Sequence, residues 1–144
     1  MNASDRKPWI RVVILVGAIY FVVGFIFSAF AGWAASLGLQ AIWNPLAFLL
    51  SGIALAVHIG YEHFRLHNTA RITAWHTSIA VALGAFALAL KANIHDLGSA
   101  AGYRPRMLIA LPAWPLLTAV PAFIVAFLLA IGLTLMRRRA AAEG

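Results

Sequence analysis

Four long apolar segments separated by shorter polar ones dominate the chain, at residues 10–35, 46–64, 72–90 and 114–136. Each reaches or exceeds the roughly 17–25 residues that an α-helix needs to cross the hydrocarbon core of a bilayer. A lone strand in lipid would leave its backbone groups unpaired, and no alternating pattern typical of a membrane barrel is present. The pattern therefore predicts an all-α integral membrane four-helix bundle that forms one transmembrane domain over residues 1–144.

The connections between the predicted spans are residues 36–45, 65–71 and 91–113. The longest contains four residues that interrupt helices: Gly98, Gly102, Pro105 and Pro112. They predict a loop without a fifth helix. Pro115 fits the first turn of the fourth span, where no backbone donor is lost, whereas Pro121 is expected to bend that span.

Composition supports the membrane assignment and excludes other classes. Hydrophobic residues make up 63% of the chain and charged residues 10%, and the mean hydropathy is +0.90, whereas soluble domains carry about 25% charged residues. A soluble domain, a disordered chain and a nucleic-acid-binding module are excluded despite the net charge of +7. Cysteine is absent, which excludes disulfides, thiolate ligands and covalently attached haem.

The basic residues predict an orientation. With four spans, both termini and residues 65–71 share one side of the membrane. That side carries Arg6, Lys7, Arg11, Arg65, Arg71, Arg137, Arg138 and Arg139. The opposite side carries Lys91, Arg104 and Arg106. The positive-inside rule then predicts cytoplasmic N and C termini and a multi-pass protein of the inner (plasma) membrane.

Small residues recur four apart in every predicted span, which allows helices to approach closely in lipid. The stripes are Gly24, Ser28 and Gly32; Gly52, Ala56 and Gly60; Ala74, Ser78 and Ala82 with Ala80 and Gly84; and Ala122, Ala126 and Ala130. They predict a compact bundle. The first and third spans each have a second small face, which we expect to be available to another subunit or to a second copy of the chain.

All five histidines and two of the four carboxylates lie between residues 58 and 96. His58 in the second span and His76 in the third are expected at similar depth near the cytoplasmic side, because a short loop joins these antiparallel helices. Glu62 follows His58 by four residues and so shares its helix face. A carboxylate this close to hydrocarbon needs a partner, and His58, Arg65 and Arg71 are the candidates.

Three interpretations of this cluster are open. In the first, His58 and His76 only form hydrogen bonds between helices, and nothing is bound. In the second, His58, Glu62 and His76 form a divalent metal site or a proton relay. In the third, His58 and His76 are axial ligands of haem b, or one of them binds a chlorin, which requires helices further apart than the roughly 8–10 Å of direct packing.

Two polar groups lie at helix ends. Arg137, Arg138 and Arg139 follow the fourth span directly and are expected to bind anionic lipid head groups. His95 follows the third span and is interpreted as part of a polar helix end, with binding of a metal or a quinone head group as the alternative.

The sequence contains no phosphate-binding loop, dinucleotide fingerprint or nucleophile motif, so enzymatic activity is not expected. The leading hypothesis is a small accessory or anchoring subunit of a larger membrane complex. The alternatives are a haem- or metal-binding redox or proton-relay protein that uses His58 and His76, and a small oligomeric transporter. No carboxylate lies in the middle of a span, which weakens ion-coupled transport.

Overall fold

The computed structural model is all-helical and describes residues 8–33, 37–97 and 107–143. The described residues form the helices α1 (Pro8–Trp33), α2 (Leu37–Phe64), α3 (Ala70–Leu97) and α4 (Met107–Glu143). Each of the four is long and apolar enough to cross a membrane. The predicted all-α fold is confirmed for the described residues, as are four helices of membrane-spanning length and hydropathy.

Helix α3 lies at the centre of the bundle. It packs most extensively against α4 and then against α1, and α2 makes its main contacts with α1. We call the end at which α1 begins, and at which residues 65–69 join α2 to α3, the termini end. The opposite end, where α3 finishes at Leu97, is the far end.

Glycines bring α1 and α3 close together. A Cβ atom added at Gly84 would lie 2.6 Å from the Cβ of Tyr20 and 3.1 Å from the carbonyl oxygen of Gly17. A Cβ added at Gly17 would in turn lie 3.1 Å from the carbonyl oxygen of Ala80. The predicted close approach through small residues is therefore confirmed at this interface, where side chains would force the backbones apart.

The contact between α3 and α4 also uses small residues. Ala74 on α3 and Ala126 and Ala130 on α4 are fully buried. The Ser78 hydroxyl donates a hydrogen bond of 2.8 Å to the carbonyl oxygen of Ala119 across the interface. Both small faces of α3 are thus used within the bundle, and the expectation that α3 keeps one for another subunit was wrong.

Helix α2 is the exception. Ala56 is exposed, and Cβ atoms added at Gly52 or Gly60 would meet no other described part of the chain within 4 Å. The small-residue stripe of α2 therefore lies outside the helix contacts of the bundle, although the sequence predicted that it would pack.

The helices are longer than the apolar spans. Helix α2 begins at Leu37, within the predicted connection 36–45, and α3 continues to Leu97. Apolar length marks only the part of a helix suited to hydrocarbon, and a helix continues past it wherever the backbone can form hydrogen bonds. Gly98, Gly102 and Pro105 lie outside the described residues.

Proline was a poor guide to helix ends in this chain. Pro45 lies inside α2, and Pro112, Pro115 and Pro121 lie inside α4, which begins at Met107. The expectations that Pro112 belongs to a loop and that Pro115 occupies a first turn were wrong. Membrane helices tolerate proline because neighbouring helices, hydroxyl side chains and local adjustment satisfy the freed carbonyls.

Candidate functional site

A fully buried carboxylate lies near the termini end of the bundle. Glu62 belongs to the last turn of α2, and its side chain has no exposed surface. Burying an ionised carboxylate without partners costs on the order of several kcal/mol or more, because the charge loses its hydration. The surroundings of Glu62 therefore decide whether the group is tolerated.

Side chains from three parts of the chain contact this carboxylate. His76 on α3 places Nδ1 3.0 Å from Oε2 of Glu62. The side-chain amide (Nδ2) of Asn68, in the loop, donates a hydrogen bond to the same oxygen. His58, one turn earlier on α2, places Nε2 3.6 Å from Oε1. We call His58, Glu62 and His76 the imidazole–carboxylate cluster.

The loop after α2 brings Asn68 back onto Glu62. The amides of Arg65 and Leu66 donate to the carbonyl of Tyr61, and the Asn68 amide donates to the carbonyl of Glu62 at 3.2 Å. His67 adopts a left-handed φ of 53°, which reverses the chain after the helix end. This turn directs the side chain of Asn68 at the Glu62 carboxylate, so both the backbone and the side chain of Asn68 bind Glu62.

Helix α3 starts directly after this turn, so the loop also fixes His76. The hydroxyl of Thr69 accepts a hydrogen bond of 3.4 Å from the Ile72 amide, as an N-cap residue does. His76 then follows two turns into the helix. Its ring stacks on the indole of Trp9 from α1, with centroids 4.5 Å apart and planes at 4°, so the imidazole is held between Trp9 and Glu62.

Several buried polar atoms around the cluster have no hydrogen-bond partner among the described residues. They include both ring nitrogens of His63, Nδ1 of His58 and the hydroxyls of Thr73 and Thr77. The residues that carry them are at most 6% exposed. Buried polar groups ordinarily find a partner in the protein or in ordered water, so these atoms leave hydrogen-bonding capacity in the helices around Glu62.

A polar pocket at the termini end adjoins the cluster. Its volume is about 410 Å³, and its lining includes His63, Asn68, Thr134, Arg137 and Arg138. Asn68 belongs both to this pocket and to the contacts of Glu62. The pocket and the buried carboxylate therefore share Asn68 as a neighbour, whereas Glu62 itself does not line the pocket.

The two imidazoles approach different oxygens of Glu62 rather than one shared point. Among residues 8–33, 37–97 and 107–143, no group of three or more His, Asp or Glu side chains is arranged to hold a metal ion. Both inward-facing ring nitrogens are directed at the carboxylate, so a haem bound by His58 and His76 together would have to replace Glu62. This geometry gives no support to the metal and haem predictions.

The sequence brought His58, Glu62 and His76 together correctly, and Glu62 does have partners. Arg65 and Arg71, its other candidate partners, are exposed. Sequence reasoning missed Asn68 and Trp9. An asparagine next to a helix end was a usable signal for Asn68, because asparagine often stabilises turns at such positions. The contact of Trp9 depends on how α1 is rotated against α3.

The three arginines that are predicted to bind lipid head groups directly follow the apolar segment of α4, which ends at Met136. Arg137, Arg138 and Arg139 are all exposed, and the first two line the polar pocket. Their interaction with lipid stays a prediction. The chain matches no protein-family model, no curated protein sequence and no solved structure.

Proposed function

We propose that this chain is a membrane proton-relay protein, in which the imidazole–carboxylate cluster takes up and passes on protons. The observation that carries the proposal is the fully buried carboxylate of Glu62 with an imidazole beside each of its two oxygens. Histidine is the side chain that ordinarily changes charge between pH 5 and 8, and an imidazole beside a carboxylate is suited to proton transfer.

The distances define the transfer steps. When Glu62 is ionised it only accepts hydrogen bonds, so Nδ1 of His76 carries the proton across the 3.0 Å contact. When the same ring is also protonated at Nε2, the Nδ1 proton moves to Oε2, which leaves a neutral imidazole and a neutral carboxylic acid. The carboxyl group then rotates so that this same proton faces His58, and the proton passes to the unprotonated Nε2, which leaves Glu62 ionised again. The 3.6 Å separation exceeds a hydrogen bond, so this step needs a closer approach or one bridging water.

Protons reach the cluster from the termini end. The polar pocket is lined by Asn68 and His63, and in this proposal a water link through Asn68 joins it to Glu62. The two ring nitrogens of His63 have no hydrogen-bond partner among the described residues. In the proposed orientation this surface is cytoplasmic, because it carries most of the arginine and lysine residues.

Infrared difference spectroscopy tests the proposal. The purified protein in lipid is compared at neutral and acidic pH, in H₂O and in D₂O. We expect acidification to produce the carboxylic-acid band of a buried group, shifted in D₂O and absent from Glu62→Gln. The control is Glu143→Gln, because Glu143 is the exposed glutamate at the end of α4. A buried-acid band that persists in Glu62→Gln, or no band in the unmodified protein, would refute the relay.

A second candidate function is the accessory subunit of a larger membrane complex. The specific observation is the stripe of Ala56 and Gly60 on α2, which no described helix covers. Close packing on such a stripe is how a partner helix would bind. Purification in mild detergent tests this function. A co-purifying membrane subunit that is lost in Gly60→Leu supports it, and a stable monomer that carries its own activity contradicts it.

A further inference from the structure

Residues of all four helices line a large apolar cavity, which lies between the imidazole–carboxylate cluster and the far end of the bundle. Its volume is about 500 Å³, within the range of small-molecule binding sites. Its lining is mostly aliphatic and aromatic, with Tyr20, Ser51 and Thr118 as the residues that bear hydroxyl groups. The proton-relay function assigns no role to this space.

The residues around the cavity explain why it stays open. Gly24, Gly52 and Gly84 line it, and Pro121 lies in its wall on α4. Leu88 and Tyr20 fill the space beside Gly24 and Gly84, so Gly52 is the glycine that leaves room. A Cβ added at Gly52 would meet no other described group within 4 Å. Helix α2 packs much less extensively against α3 and α4 than these two helices pack against each other, so it forms one wall of the cavity without filling it.

This cavity continues to the far end of the bundle. A second cavity, of about 570 Å³, is lined by Lys91, His95 and Trp114. The two cavities share the lining residues Gly24, Ala85, Leu88 and Thr118. The two cavities are therefore adjacent, and we call the pair, from the centre of the bundle to the far end, the lipid passage.

The physical properties of the inner part select a hydrocarbon occupant. A buried water molecule needs two to four polar partners, which this lining does not supply along most of its length. If the space stayed empty, the surrounding side chains would lose their dispersion contacts on that side. In a membrane, long hydrocarbon chains surround the protein, and such a chain would restore those contacts without desolvating polar groups.

The charge at the far end selects the head group. The ammonium group of Lys91 lies 4.0 Å from the centre of the Phe25 ring, at the level where the passage meets the end of α3. His95 is exposed and lines the same cavity, and the described residues of this lining include no carboxylate. A cation that is partly removed from water attracts an anion at the mouth of an apolar passage.

We infer that the lipid passage binds one amphiphile with a long hydrocarbon chain and an anionic head group. The chain occupies the cavity beside Gly52, and the head group lies at Lys91. The head group is either the carboxylate of a fatty acid or the phosphodiester of a phospholipid, which share a negative charge on oxygen. This site is separate from the imidazole–carboxylate cluster and does not depend on its function.

Native mass spectrometry of the delipidated protein, titrated with stearate, phosphatidylglycerol or phosphatidylcholine, tests the inference. We expect one bound stearate or phosphatidylglycerol, and the tighter of the two identifies the source of the head group. Gly52→Leu should weaken binding at least about ten-fold, because its side chain displaces several buried methylene groups. Lys91→Gln should reduce anionic binding to the level of phosphatidylcholine.

Gly60→Leu is the matched control, since Gly60 also has open space beside it but does not line the passage. It should bind like the unmodified protein. Equal weakening by Gly60→Leu and Gly52→Leu, no effect of Lys91→Gln, or absence of a bound amphiphile would overturn the inference. The buried-acid infrared band of Glu62 should persist in Gly52→Leu and Lys91→Gln, which shows that both remain folded and separates this result from failure of the relay.

Discussion

At the residue scale, Glu62 is accommodated because its partners come from three places. His58 could be predicted from its spacing of four residues on one helix, and His76 from its depth in the neighbouring helix. Asn68 could not be predicted with the same ease, because its contact depends on the left-handed φ of His67. The stacking of Trp9 on His76 depends on the rotation of a helix, which hydropathy does not determine.

The contact between His76 and Glu62 should stabilise the fold. We expect His76→Ala to lower the free energy of unfolding by about 2–4 kcal/mol at neutral pH, because the buried carboxylate loses its closest imidazole hydrogen-bond partner. In a Glu62→Gln background the same change should cost about 1 kcal/mol or less, since no charge is left unpaired. Reversible unfolding in mixed micelles measures both values.

His95→Ala is the control for that cycle, because His95 is exposed, and it should change stability by about 0.5 kcal/mol at most. Equal costs of His76→Ala in the two backgrounds would mean that His76 does not stabilise the carboxylate.

At the element scale, the arrangement follows from which small residues meet. Periodic glycine and alanine correctly predicted close packing for α3 against α1 and α4, as Gly84 and Ala126 show. The same pattern failed for Gly60 on α2, because a stripe of small residues permits close approach but does not determine which helix packs against it. Helix bounds were mispredicted at Pro45 and Pro112, where rules derived from soluble proteins treat proline as a helix end.

Two glycine substitutions separate packed from open positions. Gly84→Ala should destabilise the protein by about 1–3 kcal/mol, because the added methyl would lie 2.6 Å from Tyr20 Cβ and close to the backbone of Gly17. Gly60→Ala should be neutral or slightly stabilising, since alanine favours helix and meets open space there. Unfolding in mixed micelles checks the pair, and a Gly84→Ala variant that is as stable as the unmodified protein would contradict the close contact of α1 and α3.

At the scale of the whole molecule, the two ends of the bundle differ in chemistry. The termini end holds the buried carboxylate and a polar pocket, whereas the lipid passage opens at the far end. The number of long apolar helices could be predicted from the sequence, because each appears in the sequence as a continuous apolar segment. The cavities could not, since they are spaces between helices and depend on tertiary packing.

The proposed orientation can be tested because the chain has no cysteine. Single cysteines are introduced at Asn2, at His67 and at Ser99, and intact cells are treated with a maleimide that does not cross the membrane. We expect Ser99→Cys to be labelled, and Asn2→Cys and His67→Cys to be labelled only after the cells are opened, as the distribution of basic residues predicts. The reverse pattern would place the termini outside.

The most direct test of the relay is the geometry of Glu62 in a lipid bilayer. Glu62 and Glu143 are the two glutamates of the sequence, so Glu143→Gln leaves Glu62 as the single labelled residue when glutamate carries ¹³C in its side-chain carboxyl. Solid-state NMR with ¹⁵N-histidine then measures the dipolar coupling between this carbon and the imidazole nitrogens. A strong coupling that disappears in a His58→Gln, His76→Gln double variant is the result that the relay predicts. A Glu62 carboxyl without coupling to any imidazole nitrogen would contradict it.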